Sequence, residues 1–469
     1  MLPPSARAYQ ERSVPGSMSS ARPTISFGWY VVGASFVIMF LNAGARLMIG
    51  VLVKPIIADF GWSRGAVSMA VFVNMAVFAA AIVIAGRLYD RYGPKWIILV
   101  SSVLFSGGLM LMAVMTSLWQ FVLFYGVISA AGLGGTTSPI FGAIVSRWFE
   151  RRRGTAISLA MSGTSLGQFA LVPLFTAFLL DEGWRSTMLW VGVLCLVVNA
   201  VLAFWILRGD PDDLGETPYG REEPVAAAGP ARAPEPRSMN LREAMRTGSF
   251  WLFTVAMFVC GAGDFLLTTH LVPMATDHGV PTSSAVAMLA WFGLLSLGGI
   301  LLAGPLSDLI GDKVPIAAAF ALRVVLFLLV ARYQNAAAFW ALSLGFGFTF
   351  LITAPLTTTL MGRMYGFAHI GLLGGFITTV HHVGGGLWAY LGGAVYDATG
   401  GYALAMAVSA VASAIALVCT LLIREVRHST PDEAEPAGRA LADQVQLSGA
   451  ADGAEESPAS AGLVHGLPE

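Results

Sequence analysis

The chain has 469 residues, 56% of them hydrophobic and only 12% charged, with a formal net charge of −1 and a mean hydropathy of +0.71. A soluble globular protein carries about 25% charged residues, so this composition excludes a soluble core and points to a lipid bilayer as the surroundings. The near-zero charge offers nothing to a nucleic acid, and Cys195, Cys260 and Cys419 all lie in apolar runs, which argues against a disulfide framework.

Residues 1–28 lack the apolar stretch of a signal peptide and read as a disordered cytoplasmic tail. Apolar runs of spanning length, about 20 residues, then fall near 29–53, 66–86, 96–116, 119–145, 155–180 and 184–207. They form an N-terminal six-helix half over 29–207. Residues 208–249, with "PYGREEPVAAAGPARAPEPR", have the Pro, Ala and Glu content of a linker. Apolar runs resume near 250–275, 282–304, 314–333, 336–361, 367–393 and 401–423, giving a C-terminal six-helix half over 250–423. Residues 424–469 read as a second disordered tail. The expectation is an all-α membrane protein with twelve transmembrane helices in two six-helix halves.

An even number of spans places both termini on one side. That side, with the linker, holds 21 Lys and Arg against 4 in the opposite loops. Basic residues stay in the cytoplasm, so both termini and the linker are expected there, in a multi-pass protein of the inner cell membrane.

The stretch "GRLYDRYGPK" after span 2 returns as "GPLSDLIGDK" after span 8. Gly86 matches Gly304, Asp90 matches Asp308, Gly93 matches Gly311 and Lys95 matches Lys313, each 218 residues apart. Four identities at one offset point to two halves built from one unit.

Within the spans lie Arg46, Arg323, Asp264, His270 and the adjacent pair His381 and His382. A charge at the bilayer centre costs about 3 kcal/mol on insertion scales, so these residues need partners or water. Arg suits a carboxylate through its permanently charged fork. An acid in an apolar wall can take up and release a proton, and imidazole titrates in the physiological range. Asp264 and His270 are therefore the candidate proton carriers. Asn42, Thr136 and Thr349 are neutral polar candidates for substrate contact, although small polar groups in spans more often join helices. Neighbouring His381 and His382 diverge by about 100° on a helix, which argues against a metal pair. No phosphate-binding loop and no nucleophile–base pair is present, so neither an ATP-driven protein nor an enzyme is expected, and no cofactor.

Two six-span halves joined by a linker, with "G-x-L-x-D-x-x-G-x-K" after spans 2 and 8, resemble the major facilitator superfamily over roughly residues 27–424. "FGWYVVGASFVIMF", "KPIIADFGWSRGAVS", "RWFERRRGTAISLAMSGTSLG", "HLVPMATDHGV" and "VHHVGGGLWAYLGGAVYDATGGY" resemble its monocarboxylate porter branch and the bacterial oxalate/formate relatives. The span-8 run "AWFGLLSLGGILLAG" lacks the Asp and Arg pair of the mammalian members. The resemblance implies the major facilitator fold and a gate built from Gly86, Asp90, Arg91, Gly93, Lys95 and Asp308. In it Gly86 permits close helix approach, and Asp90 meets a helix N-terminus of the other half. It also implies a cavity lined by helices 1, 4, 7 and 10, with Arg46 as substrate anchor and Asn42, Thr136, His270, Thr349 and His381 around it. Arg323, on a peripheral helix, is expected to pair with a neighbouring helix. The function implied is monomeric secondary transport of a small organic anion, coupled to a proton or counter-anion. The alternative is proton-driven export of a hydrophobic metabolite or drug; "SGTSLGQFALVP" lacks the glycine-proline-glycine continuation typical of such antiporters.

Overall fold

A computed structural model describes residues 26–207, 211, 215–220, 239–366 and 369–424. Most of the two tails and of the linker lie outside the described residues, as do the side chains of Asp90 and Asp308. The described chain is helical, with one isolated bridge between Phe149 and Tyr219. Ten helices are long and apolar enough to cross a membrane. These ten, with the one over 154–205 divided at its Gly183 kink, and the further helix Ile370–Thr399 are labelled α1 (Phe27–Phe60), α2 (Arg64–Tyr89), α3 (Arg91–Met112), α4 (Leu118–Trp148), α5 (154–182), α6 (184–205), α7 (Gly248–Asp277), α8 (Thr282–Ile310), α9 (Lys313–Arg332), α10 (Ala336–Tyr365), α11 (Ile370–Thr399) and α12 (Ala403–Leu422).

Local sequence explains where these helices start and bend. Ser63 opens α2 by accepting from the Ala66 amide at 3.1 Å, and Asn335 does the same for α10 through Ala338 at 2.9 Å. The repeated motif has one backbone solution. Gly93 turns the chain at φ 76, ψ 171 and Gly311 at φ 78, ψ 173, left-handed values that suit glycine. Inside α4 the ladder loosens into a π stretch over Val122–Ser129 and tightens over Gly134–Thr136. In α10 the helix breaks at Leu351 because Pro355, four residues on, has no amide to give the Leu351 carbonyl.

Large apolar side chains such as Val114, Leu174, Trp205, Leu309 and Val325 stay exposed on the outside of the bundle. Buried polar groups such as Asn42, Asn74, Asp264 and Arg323 turn inward. That inversion fits a lipid-facing surface.

Among the described residues, the halves close against each other toward one end. Near it, Gln168 on α5 donates to the Leu289 carbonyl on α8 at 2.9 Å, and Ser165 meets Ser296 at 2.9 Å. A Cβ at Gly50 on α1 would overlap the Thr268 carbonyl of α7, and one at Gly393 on α11 would stand 2.7 Å from the Arg64 carbonyl oxygen of α2. At the other end Gly86 and Gly304 have no neighbour within 4 Å of a Cβ, and Leu159, Leu301 and Leu302 are exposed. No described atom lies close to Gly86 in this conformation, so the approach expected there is not made in it.

Candidate functional site

The intramembrane charges gather in the middle of the bundle. Arg323 on α9 turns inward rather than outward, with 1% of its side chain exposed, and stands 3.1 Å from Asp264 Oδ1 on α7. Its Nε donates to Thr349 Oγ1 at 3.2 Å and its Nη2 to the Thr349 carbonyl at 2.9 Å, just before the break in α10. Phe346 lies under the guanidinium at 4.1 Å. With Nη2 aimed at Thr349, the contact with Asp264 is an ion pair off the hydrogen-bond angle, and Asp264 Oδ1 has no hydrogen-bond partner. Asp264 Oδ2 faces Cys260 Sγ at 3.7 Å and His381 Nε2 at 3.5 Å. The acid is thus paired by charge and weakly held by direction.

Cys260, Asp264 and His381 bring three potential ligand atoms within 4.8 Å of one another. The Arg323 guanidinium, 3.3 Å from Cys260 Sγ as well, already supplies positive charge there and works against a metal cation.

Arg46 on α1 points to the seam between the halves. Its guanidinium carbon lies 4.4 Å from the Phe78 ring of α2 and 5.5 Å from the Phe265 ring of α7, and Nη2 donates to Met75 Sδ at 3.5 Å. Among the described residues no carboxylate pairs with it. His382 on α11 packs edge-on to Phe78 at 4.8 Å and beside Phe265 at 5.5 Å. Its Nδ1 donates to the Thr378 carbonyl at 2.8 Å. His381 keeps 21% of its side chain exposed, so the acid–arginine pair reaches open space through an imidazole.

Three glycines on α11 make this arrangement possible. A Cβ at Gly384 would overlap the Phe258 carbonyl, one at Gly385 the Phe265 ring, and one at Gly386 would press on Met75 and Phe72 of α2. Their absence lets α11 touch α7 and α2 together.

Other expected contacts fall elsewhere. His270 lies toward the closed end, away from Asp264: Nε2 donates to the Ala389 carbonyl at 2.8 Å, and Nδ1 meets Tyr402 Oη at 3.0 Å. Arg64 donates to that same hydroxyl at 2.8 Å, and burial pushes the Tyr402 phenol up, so Tyr402 keeps the proton it gives to His270. Asn42 accepts from Asn199 of α6 at 2.9 Å, and Thr136 donates to the Leu133 carbonyl at 3.2 Å. Thr349 is committed to Arg323. His270, Asn42 and Thr349 join helices in this conformation, as small polar groups commonly do in spans, while Thr136 bonds back within α4. Arg91 packs on its neighbour Tyr92 at 5.3 Å, and Lys95 lies over the Phe204 ring of α6 at 3.7 Å, both within the N-terminal half.

A charged cluster at the closed end lies outside the site residues expected from the sequence. Asp277 takes Lys54 at 2.7 Å and Arg64 at 2.6 Å. Asp397 accepts from the Arg64 amide at 3.0 Å and the Gly65 amide at 2.7 Å, so a carboxylate from α11 caps the first turn of α2. The signal lay in the quoted segments "KPIIADFGWSRGAVS", "HLVPMATDHGV" and "VHHVGGGLWAYLGGAVYDATGGY", whose charged residues meet here. Asp312, with Ser307, Thr359 and Arg363 at 3.3 Å, forms a second cluster of this kind at the other end.

A family model described as Major Facilitator Superfamily matches residues 35–389 and 253–460. Monocarboxylate transporter 13 of Bos taurus is 29% identical over 82% of this chain and 87% of its own length. The uncharacterized MFS-type transporter YcxA of Bacillus subtilis is 27% identical over 86% and 98%. The oxalate:formate antiporter of Oxalobacter formigenes is 22% identical over 84% and 91%. Among solved structures, a bacterial homologue of the human lysosomal transporter Spinster, inward-facing and occupied, superposes with a TM-score of 0.66. It shares 16% identity and covers 85% of this chain and 97% of its own.

Proposed function

The chain belongs to the Major Facilitator Superfamily, and from that premise we propose that it carries a small organic anion by alternating access, with a proton as the coupling ion. It is a membrane transporter like its relatives, and those relatives are not enzymes. The observation that carries the anion is Arg46, a permanent cation at the seam of the halves with no carboxylate beside it among the described residues. Arg323 and Asp264 cancel each other, so the charge left over is one positive. Removing an anion from water without a cation is prohibitive, and a substrate carboxylate satisfies both needs. Monocarboxylate and oxalate/formate names among the relatives support the class.

Asp264 is the proposed proton carrier. A buried carboxylate with one oxygen lacking a hydrogen bond is costly to keep ionised. Protonation removes the charge opposite Arg323, which keeps its bonds to Thr349, and the partly exposed His381 links the pair to the cavity. All twelve helical segments cross the bilayer in this reading, with both termini in the cytoplasm. The described conformation is then open to the cytoplasm, and the Lys54–Asp277–Arg64–Asp397 cluster is the closed outer gate. Gly86, Asp90, Arg91, Gly93, Lys95 and Asp308 belong to the inner gate, which forms when the halves rock back.

The test is uptake of labelled mono- and dicarboxylates into proteoliposomes, with and without an imposed proton gradient and with protein-free vesicles as the background. Protein-dependent accumulation of at least one carboxylate that collapses with the gradient is expected. Uptake that ignores both the gradient and the charge of the solute would refute the reading.

A further inference from the structure

We infer that the preferred substrate is a monocarboxylate with a flat aromatic body, from the juxtaposition of one unpaired guanidinium, Arg46, with the Phe78, Phe265 and His382 rings. This rests on the anion reading above and narrows it. Two features carry it independently, the charge available and the surface around it.

While Asp264 stays paired with Arg323, as in the described conformation, the charge available is one. Arg323, the other permanent cation in the centre, is 1% exposed, pairs with Asp264 and spends its donors on Thr349. A dicarboxylate would leave its second anionic group facing Phe and Met side chains, a burial without compensation. One carboxylate on the Arg46 fork balances the site.

The surface is aromatic on both halves. Phe78 belongs to the N-terminal half, and Phe265 and His382 to the C-terminal half. The Phe78 and His382 rings meet at 66° and Phe265 and His381 at 70°, an edge-to-face box rather than a smooth aliphatic wall. Met75 adds a polarisable sulfur at 3.5 Å from Arg46. The phenylalanines and Met75 offer no hydrogen-bond donor, and His382 has spent its Nδ1 proton on the Thr378 carbonyl. Small hydroxylated acids therefore find little beyond Arg46 to recognise them. Phe78 and Met75 are buried here, so a ring carried one or two carbons from the carboxylate enters between these side chains only as the halves move, and because the rings come from both halves it draws them together.

Calorimetric titration of the purified full chain in detergent tests this, using phenylacetate, cyclohexylacetate, butyrate and oxalate as probes. Phenylacetate should bind about tenfold more tightly than cyclohexylacetate, the upper range of aromatic pairing over plain area, and more tightly still than butyrate and oxalate. Arg46→Gln should weaken phenylacetate binding about thirtyfold or more, and Phe265→Leu should erase its advantage over cyclohexylacetate. The wild-type rank order decides by itself if a variant misfolds. Oxalate or butyrate binding as tightly as phenylacetate overturns the aromatic inference and leaves the anion reading standing. Phenylacetate binding that is undiminished in Arg46→Gln places the site elsewhere and overturns it too. No binding by any of the four acids overturns both.

Discussion

Arg46 and Arg323 are the same residue type, each within a span, and their surroundings separate their roles. Arg323 has a carboxylate, a carbonyl and a hydroxyl around it, whereas Arg46 has two phenyl rings and a thioether. Losing one partner of a desolvated ion pair costs about 2–5 kcal/mol. Arg46→Gln should therefore weaken binding of the best carboxylate by that amount in titration. Arg46→Lys should recover only part, since an ammonium lacks the planar fork. Equal affinities in all three proteins would show that the substrate charge is met elsewhere. Asp264→Asn separates coupling from binding. The amide keeps the shape but cannot change charge, so exchange of substrate across proteoliposomes should persist while gradient-driven accumulation disappears. Retained accumulation in Asp264→Asn would move the proton to another group.

The shortlist of charged residues was readable because a charge inside an apolar run is conspicuous whatever the fold. Which of them meet was not readable. Asp264 and Arg323 lie on separate helices, and nothing in their spacing shows that α9 turns Arg323 inward. His270 looked titratable by residue type, yet Tyr402 and the Ala389 carbonyl bind both its nitrogens.

Among the helices, α7 and α11 form the hinge of the site, and their approach depends on missing side chains. Gly261 on α7 lies against the His381 carbonyl so closely that any Cβ would overlap it. Overpacking of this kind costs about 1–3 kcal/mol. Gly261→Ala should therefore lower the unfolding midpoint in detergent and displace His381 from Asp264. Gly298→Ala on α8 is the matched control, because nothing lies within 4 Å of its Cβ. There the change should be neutral or stabilising, by up to about 1 kcal/mol of helix propensity. Similar losses in both variants would mean that helix approach at Gly261 is not the cause. Apolar runs of about 20 residues gave most helix positions because a bilayer demands them. They could not reveal the π stretch in α4 or the break at Leu351, which answer to packing and to Pro355. The two copies of the 218-residue repeat share one turn geometry, at Gly93 and Gly311.

Across the whole molecule, two charged ends compete for the same pair of halves. At the closed end Asp397 caps α2 from α11, while Lys54 and Arg64 share Asp277 from α7, so every one of these contacts crosses between halves. The expectation of an acid at a helix N-terminus of the other half was tied to Asp90; the same device is visible at the opposite end, in Asp397. Only one end can be shut at a time if the halves rock as rigid bodies. Weakening each end should then move the equilibrium in opposite directions. Arg64→Gln removes the 2.6 Å pair with Asp277 and the 2.8 Å bond to Tyr402. A loss of about 2 kcal/mol shifts a two-state equilibrium about thirtyfold. Ser68 is buried at the closed end, four residues along α2 from Arg64, and Ser68→Cys can report its opening to a membrane-impermeant maleimide. Labelling should rise in Arg64→Gln and fall in Asp90→Asn, each compared with Ser68→Cys alone. A rise in both would mean that the two ends open independently, and a rigid rocking of halves would not describe this transporter.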